Sequence, residues 1–263
     1  MNKRGKMKDK NIKIYIAIHK KAEVLNREGY IPIQVGAEGK EDLGFIKDNT
    51  GDNISCKNPN YCELTALYWM WKNSNADIIG LVHYRRYFSK SMFSKKMDKA
   101  ISKEEILKYL NKYDIILPKP YYTYKKTVKE QYGIDHNIED YNKLRDIIEK
   151  NTPEYIEAFD KVSKRRYFYN YNMFIMSKTL FDEYAKWIFP ILFELEKNVN
   201  IENYSKYNKR IYGFLSERMF NVWIEQHKEL KIKTLYANNI ERKPWVDNIR
   251  NLRSKILTKI LYH

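Results

Sequence analysis

The sequence contains little glycine, proline or cysteine and no long hydrophobic run. Its 263 residues include 9 glycines, 7 prolines and 2 cysteines, which excludes collagen-like chains, flexible linkers and broadly disordered proteins. No apolar stretch approaches the roughly 20 residues of a membrane-spanning helix. Cys56 and Cys62 form no CxxC pair, so we expect reduced thiols and no structural zinc. The apolar stretch from Ile12 to Ile18 is too short for a signal peptide, so we expect a cytoplasmic protein.

Several familiar nucleotide-binding and catalytic motifs are also missing. The sequence has no GxGxxG and no GxxxxGKS/T, which disfavours a dinucleotide-binding Rossmann unit and a P-loop. It has no GxSxG and no HExxH, which are the motifs of α/β-hydrolases and zinc peptidases. No nucleic-acid-binding module is recognisable, although basic residues interspersed with the 23 tyrosines could stack on bases.

Positive charge is present in excess. There are 49 lysines and arginines against 33 aspartates and glutamates, which gives a net charge of +16. Most of the excess lies in residues 1–10, 89–99, 119–129 and 246–263, each with a net charge of +3 or +4. Such clusters suit a polyanion, an acidic membrane surface or a diphosphate ligand, and charge alone does not choose among them.

The hydrophobic pattern predicts strands that alternate with helices. Strands are predicted at residues 12–18, 31–35, 77–83, 114–117, 171–176 and 231–236. Helices are predicted at residues 60–72, 103–112, 139–150, 153–164, 178–196 and 208–228. Asn60 and Glu63 resemble a capping box of the first helix, and residues 36–60 and 119–138 are predicted as loops. This alternation indicates an α/β fold with a largely parallel central sheet flanked by helices.

Ligands of such sheets bind beyond the carboxyl ends of the strands, which here are His19–Lys20, His83–Arg86 and Pro118–Tyr122. The second of these places an imidazole and two guanidinium groups at the end of a buried strand. A guanidinium offers a planar fork of donors that suits phosphate oxygens. The alternative is a pair of ion-paired arginines on a loop. Asp135–His136 is a further candidate pair, with a mobile loop pair as its alternative.

Two other groups could carry chemistry. Residues 50–55 precede a predicted helix, whose N-terminal amides suit an anion, and Asp52 and Asn53 could bind ribose hydroxyls; an ordinary turn is the alternative. Glu217 lies in an apolar helix beside Arg218. A carboxylate in such a setting can have a raised pKa and act as a base, or it can form a salt bridge between helices.

Six motifs follow one another along the chain and carry a family resemblance. They lie at residues 14–20, 52–55, 60–65, 80–88, 171–176 and 213–218. Together they resemble the domain-of-unknown-function 4422 family, bacterial proteins often linked to capsule and surface-polysaccharide synthesis. The family resembles glycosyltransferases of the A-type fold, and some members are described as galactofuranosyltransferases that use UDP-galactofuranose. The resemblance implies a glycosyltransferase domain at 11–240, between a basic tail at 1–10 and a basic amphipathic helix at 241–263.

The resemblance also implies an activity and roles for residues. The reaction would move a hexose, with galactofuranose favoured, from a UDP-sugar to a saccharide acceptor of a growing surface or capsular polysaccharide. In an inverting reaction a base deprotonates the acceptor; Glu217 is the first candidate and His136 the second, and the stereochemistry is left open. Tyr121, Tyr122 and Tyr124 offer faces to an acceptor sugar. The donor-binding candidates are His19, Lys20, Asp52, Asn53, Tyr61, His83, Tyr84, Arg85, Arg86, Asn172 and Arg218.

One departure from this class concerns the metal. A-type glycosyltransferases usually hold Mn²⁺ or Mg²⁺ through an Asp-x-Asp motif, and the sequence contains none. The segment His83 to Arg85 stands where that motif is expected. A diphosphate leaving group needs a metal or fixed cations to neutralise its growing charge. Arg85 and Arg86, with Lys20 or His19, could supply it. We therefore expect metal-independent transfer without a cofactor, with Mn²⁺ or Mg²⁺ left open.

The C-terminal segment points to a location. Ile249, Leu252, Ile256 and Ile260 share one face of a predicted helix, and basic residues lie off that face. A basic amphipathic helix of this kind, within residues 246–263, can lie on an anionic membrane surface. Since the acceptor in this class is typically lipid-linked, we expect the inner face of the cell membrane. A helix packed on the domain or in a dimer seam is the alternative.

Three other functions remain open at this point. A non-catalytic nucleic-acid-binding protein would explain the charge and the tyrosines but not the residues at the strand ends, and we expect no nucleic-acid partner. A nucleotide-sugar-binding protein without turnover would keep the donor site. A transferase with another donor, such as UDP-galactopyranose or UDP-glucose, would look the same in sequence.

Overall fold

The structure is a computed structural model that describes residues 10–262. The predicted basic tail at residues 1–10 lies, apart from Lys10, outside the described residues. Ten strands occur within residues 10–262: β1 (Ile12–Ile18), β2 (Tyr30–Gln34), β3 (Ile46–Lys47), β4 (Ile78–His83), β5 (Arg86–Ser89), β6 (Ile115–Pro118), β7 (Tyr121–Tyr122), β8 (Tyr167–Phe168), β9 (Phe174–Ser177) and β10 (Ile232–Asn239).

Nine α-helices occur in the same described residues. They are α1 (Asn58–Tyr61), α2 (Leu64–Asn73), α3 (Lys103–Leu110), α4 (Val128–Asp135), α5 (Ile138–Asn151), α6 (Ile156–Lys164), α7 (Lys178–Asn198), α8 (Ile211–Gln226) and α9 (Pro244–Tyr262). Between residues 10 and 262, no helix is both long enough and apolar enough to cross a membrane.

Eight of the strands form one sheet in the order β3-β2-β1-β4-β5-β10-β6-β9. Four pairings are parallel, namely β2 with β3, β1 with β2, β1 with β4, and β6 with β10. Four other pairings are antiparallel. Strand β5 is antiparallel to β4 and β10, and strand β9 is antiparallel to β4 and β6. The predicted α/β class is confirmed, but the prediction of a largely parallel sheet is wrong, because the sheet is mixed.

The reversal into β5 explains much of this difference. Only Tyr84 and Arg85 separate β4 from β5, and His83 pairs directly with Arg86. The chain therefore turns back into the sheet instead of crossing over through a helix. An apolar run such as Ile78 to Val82 shows that a strand is buried on both faces, but it does not encode the direction of the next strand.

Both faces of the sheet are covered by apolar side chains. On β1, Tyr15 and Ala17 belong to the larger hydrophobic cluster, which α2, α5, α7 and α8 complete. Ile14, Ile16 and Ile18 point to the opposite face and a smaller cluster. Complete burial of each isoleucine stabilises the fold by about 1.5–3 kcal/mol. The two-sided burial accounts for the nearly continuous apolar character of β1.

The predicted helix at residues 60–72 is divided in two. Cys62 adopts a left-handed backbone conformation with φ 53°, which ends α1 and separates it from α2. The predicted capping box of Asn60 and Glu63 is wrong, since neither α1 nor α2 has a side-chain cap. The carboxylate of Glu63 instead accepts a hydrogen bond from Asn172, which is distant in sequence.

Two other segments differ from the prediction. The predicted loop at residues 119–138 contains β7 and α4, and α4 begins with a capping box formed by Thr127 and Glu130. The strand predicted at residues 171–176 begins only at Phe174, because Tyr171 and Asn172 are left-handed with φ 74° and 51°. A non-glycine residue in this region carries about 1 kcal/mol or more of strain, so other contacts must hold it there.

Candidate active site

The carboxyl ends of β1 and β4 lie side by side, because the strands pair in parallel with Ala17 opposite His83. His19 and Lys20, which follow β1, therefore meet the turn that follows β4. The His19 ring meets the Tyr84 ring edge-on at 5.4 Å between centroids. The structure thus brings together two of the three groups of strand-end residues that the sequence singles out.

Two cations lie against one aromatic ring at this edge. The Nζ atom of Lys20 lies 5.4 Å from the centroid of the buried Tyr84 ring, and the Arg85 guanidinium carbon lies 5.7 Å from it. Both approach Glu241, with N–O distances of 4.0 Å for Lys20 and 3.6 Å for Arg85. Burial, followed by the charges of Arg85 and Lys20, lowers the pKa of His19. At pH 7 His19 is therefore neutral, and lysine and arginine supply the positive charge.

Tyr171 connects three parts of the site. The carbonyl oxygen of Tyr171 accepts from Nε2–H of His83 at 2.7 Å. The backbone amide of Tyr171 donates to Oε1 of Glu217 at 2.9 Å. The guanidinium of Arg86 lies over its ring, 4.3 Å from the centroid. These contacts hold the left-handed backbone of Tyr171 and fix the loop before β9 against β4, β5 and α8.

His83 is a neutral hydrogen-bond donor in this arrangement. Burial lowers its pKa to about 4, with further lowering by the charges of Arg86 and Arg85, while the hydrogen bond to the Tyr171 carbonyl raises it. The carbonyl oxygen can only accept, so Nε2 carries the proton. His83 therefore positions the Tyr171 loop and contributes no positive charge at neutral pH.

Both carboxylate oxygens of Glu217 are engaged. Oε1 accepts from the Tyr171 amide, and Oε2 forms an ion pair of 3.2 Å with Arg218. Burial raises the pKa of Glu217 most strongly; Arg218 opposes this, and the charge of Glu63 adds to the rise. The Arg218 side chain is only 3% exposed and also donates to the Phe214 carbonyl and to Gln131. The guanidinium is therefore buried and joins α4 to α8, a position that does not favour the predicted role in donor binding.

Glu63 is a carboxylate at the site that the sequence analysis missed. Its Oε1 accepts from Nδ2 of Asn172 at 2.8 Å, and the same Nδ2 donates to Ser216 Oγ at 2.9 Å. Burial raises the pKa of Glu63, while the hydrogen bond from Asn172 and the nearby charges of Arg210 and Arg86 lower it. Within residues 10–262 Asn172 is the one side chain that donates a hydrogen bond to this carboxylate, and a backbone amide hydrogen bond also lowers its pKa. Glu63 lies in the family motif at residues 60–65, but its predicted role was that of a helix cap.

Arg210 is a second residue of the site, this time a cation, that the sequence analysis did not select. It lies immediately before α8, and its Nε donates to Sγ of Cys62 at 3.1 Å. Burial raises the pKa of the Cys62 thiol to about 11, so the sulfur is a neutral acceptor that leaves the charge of Arg210 uncompensated. The charge of the partly exposed Arg86 lowers the pKa of both Glu63 and Glu217, and the charge of the exposed Arg210 lowers the pKa of Glu63.

The structure does not bring Asp52, Asn53 and Tyr61 into this site. Asp52 accepts from the Tyr68 hydroxyl at 3.0 Å, and its carbonyl accepts from Asn73, the last residue of α2. Glu63 precedes the start of that helix, about 15 Å of helix rise from Asn73. Asn53 accepts from the Ser55 amide within its own turn.

Tyr61 is fully buried and cannot offer a ring face to a nucleotide. Its ring stacks on Tyr212 at 4.5 Å, and its hydroxyl donates to Glu196 at 3.1 Å. This geometry does not favour the predicted role of Tyr61 in donor binding, and the residue belongs to the core between α1 and α8.

His136 lies at the end of α4 in an aromatic setting. Its ring stacks on Phe214 at 4.1 Å between centroids, and Nδ1 lies 3.2 Å from Oδ1 of Asn208. Burial lowers its pKa, and the hydrogen bond with Asn208 opposes this. Phe214 precedes Glu217 by about one turn of α8. His136, which stacks on Phe214, therefore lies about one helical turn from Glu217, the other predicted base.

A cavity of about 190 Å³ lies beside the site. Arg86, Tyr121 and Tyr171 line one side of it, and Arg250 and Asn251 of α9 line the other. Of the three tyrosines predicted for the acceptor, Tyr121 reaches this cavity. Tyr122 lines a neighbouring one and packs on Tyr167, and Tyr124 lines neither and adopts a left-handed conformation with φ 61°.

The side chains present do not suit a divalent cation. Across residues 10–262, no three His, Cys, Asp or Glu side chains are grouped so that they could hold a metal ion. Two carboxylates of the site, Glu63 and Glu217, are held by Asn172, by a backbone amide and by Arg218. A third, Glu241, faces Lys20 and Arg85. The charges of Arg86 and Arg210 close by would repel a cation.

Comparisons with known proteins identify a family and a solved structure that this chain resembles. Residues 13–228 match the family described as Domain of unknown function (DUF4422), and the chain belongs to that family. It is also similar to a solved structure described as the apo structure of WbbM, a bifunctional glycosyltransferase, with 35% sequence identity and a TM-score of 0.81. The match covers 89% of this chain and 46% of that one, so this chain spans less than half of its length. Comparison with curated proteins gives no significant match.

Proposed function

We propose that the protein is a glycosyltransferase with an A-type-like fold. It would transfer a hexose, with galactofuranose favoured, from a UDP-sugar to a saccharide acceptor in the synthesis of a surface or capsular polysaccharide. The observation that carries the proposal is the structural likeness to a glycosyltransferase, with a TM-score of 0.81 at 35% identity. The cluster of cations and carboxylates beyond the carboxyl ends of β1 and β4 supports it, because ligands of α/β sheets bind there.

The diphosphate of the donor is assigned to the cations at this edge. Arg86 lies against Tyr171, and the exposed Arg210 donates to the neutral Cys62 thiol and forms no direct ion pair within residues 10–262. Arg85 and Lys20 share one carboxylate, Glu241. This leaves net positive charge where the leaving group would gain negative charge, and fixed donors of this kind stabilise such a transition state.

Transfer is proposed to be independent of a metal ion. The usual Asp-x-Asp motif is absent from the sequence, and the carboxylates at the site are engaged by amides and by Arg218. Arginine side chains can neutralise a diphosphate in place of Mn²⁺ or Mg²⁺. Activity that EDTA abolishes and Mn²⁺ restores would contradict this part of the proposal.

Glu63 is the better placed of the two carboxylates to act as the base. Glu217, the residue that the sequence favours, has both oxygens engaged by Tyr171 and Arg218. Glu63 accepts a side-chain hydrogen bond from Asn172 and forms no ion pair within residues 10–262. In an inverting reaction the acceptor hydroxyl gives its proton to this carboxylate as its oxygen bonds to the anomeric carbon, and the bond to UDP breaks with its electrons. A raised pKa makes the carboxylate a stronger base.

Release of UDP from a panel of UDP-sugars, with and without EDTA, tests the proposed activity. The panel contains UDP-galactofuranose, UDP-galactopyranose and UDP-glucose, and a lipid-linked saccharide serves as acceptor. We expect acceptor-dependent release from one donor, unchanged by EDTA. Absence of release from every donor together with absence of UDP binding in calorimetry would contradict the proposal. UDP binding without release would indicate a binding protein instead.

A further inference from the structure

The C-terminal helix α9 is oriented with its polar side inward. Asn248 donates to the Met92 carbonyl, Asn251 donates to the Pro120 carbonyl, both at 2.8 Å, and Thr258 is 4% exposed. Its apolar residues face outward: seven of the twelve large hydrophobic residues that are exposed within residues 10–262 lie on this helix. A helix that only packs on its domain would have the reverse arrangement.

The exposed residues form one stripe. With about 100° of rotation per residue, Ile249, Leu252, Ile256 and Ile260 fall within an arc of about 80°. Their side chains are 51%, 49%, 51% and 70% exposed, respectively. Asn251 and Thr258 lie on the opposite side of the helix. The stripe is therefore a continuous apolar surface without a partner among residues 10–262.

Charge identifies the partner. Arg253 and Lys259, both exposed, lie about 20° beyond the two edges of the stripe by the same helical geometry. If two copies of the chain paired stripe to stripe around a two-fold axis, these like charges would be brought together, which is unfavourable. A bilayer that contains anionic lipids receives the apolar stripe in its interface and pairs the flanking cations with its headgroups.

We propose that α9 docks the protein on an anionic lipid bilayer, lying in the plane of the membrane interface. The inner side of the same helix lines the cavity that Arg86 and Tyr171 share. Docking thus places one wall of the candidate site directly against the membrane surface. If the proposed transfer is correct, a lipid-linked acceptor reaches the cavity along this wall; the docking itself does not depend on the transfer.

Binding of the full chain to vesicles tests this proposal without any donor or acceptor. Vesicles of phosphatidylcholine with or without phosphatidylglycerol are sedimented with wild-type protein and with the triple variant Ile249→Gln, Leu252→Gln, Ile256→Gln. The matched control is the triple variant Ile46→Gln, Phe93→Gln, Ile134→Gln, which replaces exposed apolar residues elsewhere. A charge variant, Arg253→Gln with Lys259→Gln, is compared with Lys150→Gln and Lys186→Gln, two exposed lysines on other helices.

We expect wild-type protein and both controls to bind anionic vesicles, and the apolar variant to bind at least about 100-fold more weakly. The charge variant should bind about 25-fold more weakly, because each basic residue near an anionic surface contributes about 5-fold. Equal binding of wild-type protein and the apolar variant would overturn the proposal. A dimer in sedimentation velocity that only the apolar variant loses, without vesicle binding, would assign the stripe to a second copy instead.

Discussion

At the scale of single residues, Arg86 combines an aromatic contact with a charge that no carboxylate neutralises by a direct ion pair within residues 10–262. It begins β5 and lies over the Tyr171 ring. We predict that Arg86→Ala weakens UDP binding about 10- to 100-fold, the range expected for a lost charge-assisted hydrogen bond to phosphate. Isothermal titration calorimetry measures the change.

Two companion variants make this measurement selective. Arg86→Lys keeps the charge but not the planar fork, so we expect an intermediate loss of affinity. Arg253→Ala removes an exposed arginine from α9 and should leave UDP affinity unchanged. Unchanged affinity in Arg86→Ala would place the diphosphate elsewhere.

The two carboxylates of the site should respond differently to loss of charge. Glu63→Gln preserves an acceptor for Asn172 and should lower kcat about 100-fold or more, the usual contribution of a general base. Glu217→Gln leaves the buried Arg218 without its ion-pair partner and should lower the free energy of unfolding by about 2 kcal/mol or more. Steady-state kinetics and urea unfolding of both variants distinguish the two roles.

The pH dependence of kcat adds a readout that a structural role would not change. Because a base must be deprotonated, wild-type activity should be lost as the pH falls through the raised pKa of Glu63. In Glu63→Gln the residual activity should lack this acid limb. If the limb persists in Glu63→Gln and vanishes in Glu217→Gln, the base is Glu217, as the sequence favours.

His83 should make the stability of the fold sensitive to mild acid. Its pKa is about 4 in the folded chain against an ordinary 6.5, so between these values the unfolded chain binds more protons. Stability therefore falls as the pH drops from 6.5 towards 4, by about 2 kcal/mol between pH 7 and pH 5. We predict that His83→Gln, which keeps a donor for the Tyr171 carbonyl, removes this portion of the pH dependence in urea unfolding. An identical dependence in both proteins would show that His83 is not buried as a neutral group.

At the scale of elements, β4 depends on a glycine because three strands meet closely around it. A Cβ atom on Gly80 would lie 2.8 Å from the Phe174 carbonyl oxygen and 2.8 Å from a side-chain carbon of Ile175. We predict that Gly80→Ala lowers the free energy of unfolding by about 3 kcal/mol, since β9 would have to move. Gly133→Ala, in α4, meets only the flexible end of Ile138 at 3.2 Å and should change stability by about 1 kcal/mol or less. Chemical denaturation of both variants provides the test.

Most elements could be predicted from the sequence because their hydrophobic periodicity is strong. The predicted strands and helices correspond closely to β1, β2, β4, β6, β10, α3, α5, α6, α7 and α8. Periodicity could not reveal the break at Cys62, because the contact that replaces the expected cap joins Glu63 to Asn172, 109 residues away. It could not reveal the antiparallel direction of β5 and β9 either, since an apolar strand has the same pattern in both directions.

At the scale of the whole molecule, the sequence located one edge of the site but not its opposite wall. The rule that ligands bind beyond the carboxyl ends of strands led to His19, His83 and Arg86. Glu63 and Arg210 could not be found in this way, because they reach the site through the folding of α1, α2 and α8 against the sheet. The sequence also could not show that Asp52 and Asn53 lie away from the site. A long loop carries them towards the C-terminal end of α2.

The orientation of α9 is likewise a property of the whole molecule. The sequence shows that the helix is amphipathic, but only the fold shows which side faces outward. Its asparagines satisfy backbone carbonyls of the loops that follow β5 and β6, and this selects the polar side for burial. The apolar stripe, the cavity and the cations of the site are consequently neighbours.

The central claim is that this site transfers a sugar, and the most direct test is to follow the acceptor. A fluorescent lipid-linked saccharide is incubated with the full chain and each UDP-sugar in EDTA, and its mass is measured. We predict that one donor adds a single hexose to the acceptor, and that Glu63→Gln abolishes the addition while UDP binding is retained. An acceptor of unchanged mass with every donor, although the protein binds UDP, would contradict the account.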